Sequence, residues 1–372
     1  MEKDFHFAVT YVVGRLAGFE HEPALVIATS AQYVDDTVSE GTIRFDTGEQ
    51  YRRISSAHEK WNPKIAVSSA ERRVWVPFHF LPSADQTPSE RSSRFYSSII
   101  CRPNSRVAQE MLNHCIQQKD SPFALHRLGV TAHVFVDTWA HQGFAGIDHK
   151  VNRASNIKLH NIDPPANRLI HLKRSIQAQG FWSFLGRLWF TFLSKFLSYF
   201  FPMGHGAVLH YPDWPFLRWS YMDGNGITVE RDNPRDFLEA ADELFNFFRR
   251  YLDRDIQSPS KGLPVSDRAL IQEMLCSIQD PDGEDRCAKW VSAILEGKFS
   301  FGSAKIDYFS KGLQSWKYLA LGTEKNVDHF WERFEYSSKF LNSDWKHFHD
   351  SVQAHQFDML HKVFPKFQIC LN

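Results

Sequence analysis

The apolar positions of this chain recur mostly at helical intervals. Residues 5–17 and 20–34 space their apolar side chains three and four apart on either side of Gly18, which predicts two helices around a break. Residues 41–75 lose that rhythm, carry several charges and predict loop or irregular structure. Arg73-Val74-Trp75-Val76-Pro77-Phe78-His79-Phe80 reads as strand-like or extended, with Pro77 ruling out a central regular strand. Pro103-Asn104-Ser105 opens a helix to about Gln118, with Asn104 or Ser105 as its cap. Ser121-Pro122 starts a long helix to about Phe144, and Pro234 starts another to about Leu252. Residues 266–296 and 323–363 again read as helices, broken near Asp280-Pro281-Asp282-Gly283. The linker between them and the rest is Ser258-Pro259-Ser260-Lys261-Gly262-Leu263-Pro264. The expected architecture is mostly α: a multi-helix chemical domain over 1–255 and a helical C-terminal extension over 265–372.

Residues 181–201 break the amphipathic rule. Polar side chains at Ser183, Arg187, Thr191, Ser194, Lys195 and Ser198 form one narrow stripe, and the rest is aromatic or aliphatic. As a helix this segment reaches roughly 30 Å, but Arg187 and Lys195 at its middle make a membrane span costly. Three roles fit it: burial between the two domains, insertion at a membrane surface, or a groove for a partner or inhibitor protein.

Composition narrows the class. Lys+Arg and Asp+Glu are both 43, so the formal net charge is zero and general nucleic-acid binding is not expected. The chain is 43% hydrophobic and 15% aromatic, which opposes disorder. Its five cysteines include no C-x-x-C pair, which fits buried thiols in a reducing compartment. The start, Met1-Glu2-Lys3-Asp4-Phe5-His6, lacks an apolar signal core. A cytoplasmic start is expected, with signal-independent export or membrane association left open.

The chemistry concentrates in histidines and aspartates. In Ala132-His133-Val134-Phe135-Val136-Asp137-Thr138-Trp139-Ala140-His141, three side chains recur every four residues. Each step of four drifts only about 40° on a helix, so His133, Asp137 and His141 share one face. Two imidazoles around a carboxylate suit a zinc site; a solvated polar stripe is the competing reading, opposed by the apolar flanks. Further candidates are His6 among apolar residues, Asp35 and Asp36 closing an apolar helix, and His79 between two phenylalanines. His205, His210 and Asp213 lie in a Gly- and Pro-marked segment beside Trp214. Acids at a helix C-terminus oppose its dipole, and a cation would offset that for Asp35 and Asp36. No H-E-x-x-H, G-x-S-x-G or phosphate-loop motif occurs, and Gly224-Asn225-Gly226 reads as a turn.

This order of ligand types resembles the zinc-dependent phospholipase C and fungal single-strand nuclease superfamily. It is carried here by His6, Asp35 or Asp36, His79, His133 with Asp137, His141, and His205 with Asp213. More closely, FHFAVTYVVGRLAGF, QYVDD, PFHFLP, HVFVDTWAHQGFAG and GHGAVLHYPDWP resemble a bacterial family without an assigned activity. The superfamily resemblance implies a helical metal-cluster fold with two or three zinc ions. It also implies phosphodiester hydrolysis, on a phospholipid or, alternatively, on a nucleic acid. Asp35 or Asp36 would orient the attacking water or take its proton. The chain departs from that pattern in starting with Met1 rather than Trp, in a shorter Asp137–His141 spacing, and in the distance between His205 and Asp213, where His210 is a substitute. A different class also fits the sequence: a membrane-associating effector or binding protein with structural metals.

Overall fold

A computed structural model describes residues 1–57, 69–84, 98–162, 204–258, 262–325, 328 and 331–371. The segment 181–201 lies outside them. A π-helical turn, Asp4–Val9, runs into α1, Thr10–Ala17, and Gly18 ends it at φ 110°. α2, His21–Asp36, packs against α1. α3 is Ser69–Phe78, α4 Arg106–Gln117 and α5 Ala124–Ala140. α6 is Asn233–Asp253, α7 Val265–Ser277, α8 Gly283–Leu295 and α9 Trp316–Leu321. α10, Asp344–Asp358, continues through a π turn, Met359–Val363, into α11, Phe364–Lys366.

The expectation of a mostly α, multi-helix fold needs correction to a mixed α/β one in which helices predominate. β1, Gly41–Arg44, pairs antiparallel with β2, Gln50–Arg53. β3, Ala154–Leu159, β4, Arg218–Asp223, and β5, Thr228–Asp232, form an antiparallel sheet in the order β3-β4-β5. Most of these strands left no apolar alternation to read; β4, with Trp219 and Tyr221 two apart, is the exception. β1 and β2 each bury one residue, Ile43 and Arg53, and β3 faces solvent along most of its length. The Gly224-Asn225-Gly226 turn links β4 to β5, with Asp223 Oδ1 accepting from the backbone of Asn225 and Ile227.

The stretch expected to be extended around Pro77 is instead the end of helix α3. A helical proline leaves the carbonyl four residues earlier without its donor. Gln356 Nε2, from α10, donates to that Arg73 carbonyl at 2.9 Å. The cost of Pro77 is therefore offset by a contact distant in sequence. Several other helices follow their signals more closely, but the helix expected over 323–363 begins only at Asp344, and α9 had no signal. Ser105 Oγ caps α4 by accepting from Ala108 N, and Asp232 caps α6 ahead of Pro234.

One hydrophobic core runs through Val13, Val34, Phe135 and Phe248 and on through Ile271, Trp290 and Phe348. The residues beyond 265 therefore share a core with those before 255. A second, aromatic cluster of Phe80, Phe144, Trp214, Trp219 and Tyr221 lies under the three-stranded sheet. α2 and α5 meet at Gly129, where an added Cβ would sit 2.3 Å from the Ile27 carbonyl oxygen. That close approach brings Asp35 and His133 to one place. Among the described residues, no helix is long and apolar enough to cross a membrane.

Candidate metal centre

Five separate segments supply the site. The π turn carries His6, α2 carries Asp35 one residue before its end, α3 leads into His79, α5 carries His133 and Asp137 in its C-terminal half and is followed by His141, and a pair of 3-10 turns places His205 and Asp213. π turns are rare and concentrate where a side chain must be re-aimed. Here the turn stacks His6 on His133, with ring centroids 3.9 Å apart.

Asp137 is the hub. Its carboxylate lies 3.2 Å from His6 Nε2, 3.3 Å from His133 Nε2, 3.5 Å from His79 Nδ1 and 3.6 Å from His141 Nδ1. The Met1 ammonium approaches its Oδ1 at 2.6 Å and Asp213 Oδ1 at 3.3 Å. Asp35 faces His79 and His133, both at 3.8 Å, from the solvent side. Its side chain is 33% exposed, against 1% for Asp137, so the cluster opens at Asp35. Asp213 faces His141 Nε2 at 3.7 Å and His205 Nε2 at 3.6 Å.

The backbone fixes the tautomers. A carbonyl oxygen only accepts, so the ring nitrogen facing it carries the proton. His133 Nδ1 donates to Ala31 O at 2.8 Å, and His79 Nε2 to Ser56 O at 2.9 Å. His141 Nδ1 donates to His79 O at 2.6 Å, and His205 Nδ1 to Leu209 O at 2.7 Å. Each ring therefore turns its other nitrogen, the one left with a lone pair when neutral, toward the carboxylates. His133 Nε2 and His79 Nδ1 face one another at 3.3 Å. Among the described residues, neither ring nitrogen of His6 has a hydrogen-bond partner. Lone pairs aimed at carboxylates and at each other are repulsive until a proton or a metal ion lies between them. Anchoring of the second ring nitrogen is the arrangement that metal-ligating histidines adopt.

Electrostatics point the same way. Burial opposes charge on Asp137, yet the Met1 ammonium and the rings of His141, His133 and His6 hold its carboxyl well below the usual range. Asp213 behaves likewise. Burial lowers His6 well below the imidazole range and takes His205 to about 4, so both rings are neutral at pH 7. Burial also opposes charge on His79, but Asp137 and Asp35 outweigh it and raise the ring. Burial would lower the Met1 amine, yet Asp137 and Asp213 raise it to about 11. Desolvation raises Asp35, although His133 and His79 pull it down. The cluster is a carboxylate-rich buried pocket whose groups could hold a cation.

Among the described residues, three groups at the cluster fit a metal ion by donor spacing: His6, His133 and Asp137; Asp35, His79 and His133; and His141, His205 and Asp213. A fourth, Glu2, His210 and Asp213, lies at the rim, where His210 is exposed and its Nδ1 is 3.4 Å from Glu2 Oε1. Nitrogen and carboxylate donors without thiolates suit zinc. Asp36 is placed elsewhere. One residue turns a helix by about 100°, and its carboxylate accepts from Gln32 Nε2 and Tyr308 OH.

No residue pattern marked Glu2, nor Asn233, the buried clamp on the Asp213 segment. Asn233 Nδ2 donates to Tyr211 O at 2.7 Å and to Trp214 O at 2.8 Å. Asn233 was visible only as the residue before a helix-starting proline. Arg231 Nη2 donates to Trp139 O and Ala140 O and so caps the end of α5.

Residues 1–363 match the family model of DUF6765, a family of unknown function. The chain belongs to that family. No curated protein and no solved structure matches it.

Proposed function

We propose that this member of DUF6765 is a metal-dependent phosphodiester hydrolase, with zinc held between the five histidines and Asp35, Asp137 and Asp213. One observation carries the metal centre: four histidines each donate one ring N–H to a backbone carbonyl and aim the other nitrogen at shared carboxylates. The reaction class rests on the chain order of those ligands, which resembles the zinc-dependent phospholipase C and single-strand nuclease superfamily.

Zinc ions in such a site supply Lewis-acid polarisation of a phosphoryl oxygen and make water nucleophilic near neutral pH. The chain's own groups divide the remaining work. Asp137, buried and ionised, carries the central negative charge and shares it among several donors. Ala31, Ser56, His79 and Leu209 hold the imidazoles in one tautomer through their carbonyls. Asp35, at the open side and with a raised carboxyl, is placed to orient water or take its proton.

The test is zinc analysis of the purified protein, followed by assays on bis(p-nitrophenyl) phosphate, a phospholipid and single-stranded DNA. Two or three zinc ions per chain are expected, with turnover that a chelator abolishes and zinc restores. Protein that holds no metal when zinc is supplied overturns the centre. Zinc-loaded protein inert on all three substrates overturns the hydrolase reading and leaves structural metals.

A further inference from the structure

α8 belongs to the C-terminal extension, yet it holds the first residues of the chain in place. Arg286 on α8 is buried, with its side chain 0% exposed. Its Nε donates to Asp4 Oδ2 at 2.7 Å and its Nη2 to Asp4 Oδ1 at 3.0 Å, a two-pronged contact. Nη2 also donates to Glu2 Oε2 at 2.5 Å, and Nη1 to Asp280 O at 2.8 Å. Lys3 adds an ion pair to Glu284 at 2.6 Å. The two carboxylates bound by Arg286 bracket the start of the π turn. At the entry to that turn, the Glu2 carbonyl accepts from Phe5 N at 3.0 Å and His6 N at 3.1 Å. Glu2 then reaches His210 with its other oxygen. The backbone of Gly283 permits this approach, since a Cβ there would lie 2.8 Å from Glu2 Oε2 and 3.1 Å from Glu2 Cβ.

We infer that Arg286 is a positioning residue for the metal centre: through Asp4 and Glu2 it sets the π turn that aims His6 at Asp137. This rests on the metal-centre reading above. It makes the C-terminal extension part of the site, although none of its side chains belongs to the proposed ligand groups. Among the described residues His6 has no hydrogen-bond partner at either nitrogen, so its orientation depends on this clasp and on its stack with His133.

The experiment measures zinc stoichiometry and affinity, and the visible spectrum of the cobalt(II)-loaded full chain, for wild type, Arg286→Met and Arg286→Lys. Supporting groups around metal ligands typically change affinity by about 10–100-fold. Arg286→Met is expected to weaken one ion by that range and to alter the cobalt spectrum. Arg286→Lys keeps the charge but loses the fork, and is expected to fall between it and wild type. A variant that merely melts lower, with wild-type zinc affinity and cobalt spectrum, overturns the inference. If Arg286→Met does not fold, Gly283→Ala decides, because it displaces Glu2 and leaves Arg286 in place. An affinity about 10-fold weaker supports the clasp, and an unchanged one overturns it. Wild-type protein without zinc overturns both readings, whereas zinc-loaded wild type with equally loaded variants overturns this one alone.

Discussion

Two regions of this molecule bury charge, and they do it in opposite ways. Around α10 each buried charge meets a partner of the other sign. Arg127 Nη2 lies 3.1 Å from Asp358, and Arg53 and Lys317 both reach Asp328, at 2.7 and 2.6 Å. Around α5, three carboxylates converge on the histidine cluster, and the Met1 ammonium is a cation shared by two of them, Asp137 and Asp213. The first arrangement is complete as it stands. The second costs free energy that a metal ion would offset, and a fold retains such a cost where function needs it.

Asp137→Asn breaks the comparison most severely. An amide offers one oxygen and no charge to donors that now share a carboxylate. At least one ion should be lost and turnover should fall by at least ~100-fold, while helix content stays. Elemental analysis, a phosphodiesterase assay and circular dichroism read the three outcomes. Full metal occupancy with full turnover would reduce Asp137 to a partner of the Met1 ammonium.

Asp358→Ala probes the paired region. It leaves the buried Arg127 guanidinium without its carboxylate, which typically costs about 3–5 kcal/mol of stability. Zinc stoichiometry should not change. Denaturant unfolding beside metal analysis checks both halves. Loss of metal would mean that the two regions are one energetic unit.

Gly129→Ala links the regions through geometry alone. Its Cβ would fall 2.3 Å from Ile27 O and 2.5 Å from Ser30 Cβ, so α2 and α5 must separate. Overpacking of this kind costs about 1–3 kcal/mol. The same separation moves the Ala31 carbonyl away from His133 Nδ1, so weaker zinc binding is expected as well. An unfolding curve and a zinc titration on one preparation test it. Destabilisation with unchanged affinity would show that the tautomer anchor tolerates the shift.

These residues show why the site was more legible than its support. His133, Asp137 and His141 were readable because their spacing of four matches the helical repeat and places them on one face. His6, Asp35, His79, His205 and Asp213 were readable as chemistry-bearing side chains in apolar or turn-marked surroundings, and the fold brings them to that face. Asp36 could not be separated from Asp35, since only the rotation of α2 sends it to Tyr308. The carbonyls of Ala31, Ser56 and Leu209 have no residue signature, because every residue owns one. Arg286 is one arginine among many until α8 packs against the π turn. The strands other than β4 were hidden by their polarity, and α3 by a proline whose repair, Gln356, lies 283 positions beyond the carbonyl it serves.

The smallest effect is a pH dependence that separates neutral buried histidines from paired charges. His355, on α10, donates from Nε2 to Pro77 O at 2.9 Å and lies beside Phe78. Burial, helped by Arg127, lowers its pKa to about 3, well under the ordinary 6.5. The unfolded chain therefore takes up a proton in a range where the folded chain does not. Stability from this group is complete above pH 6.5 and is lost as pH falls from 6.5 toward about 3. The slope is at most about 1.4 kcal/mol per pH unit for one proton. His355→Gln keeps a donor for the Pro77 carbonyl and removes the titration. The variant should lose less stability than wild type between pH 6.5 and 4.5, measured by urea unfolding of chelator-treated protein. Chelation matters because protonation of the cluster histidines would otherwise release metal over the same interval. Parallel stability–pH curves for the two proteins would mean that His355 is not the group that titrates.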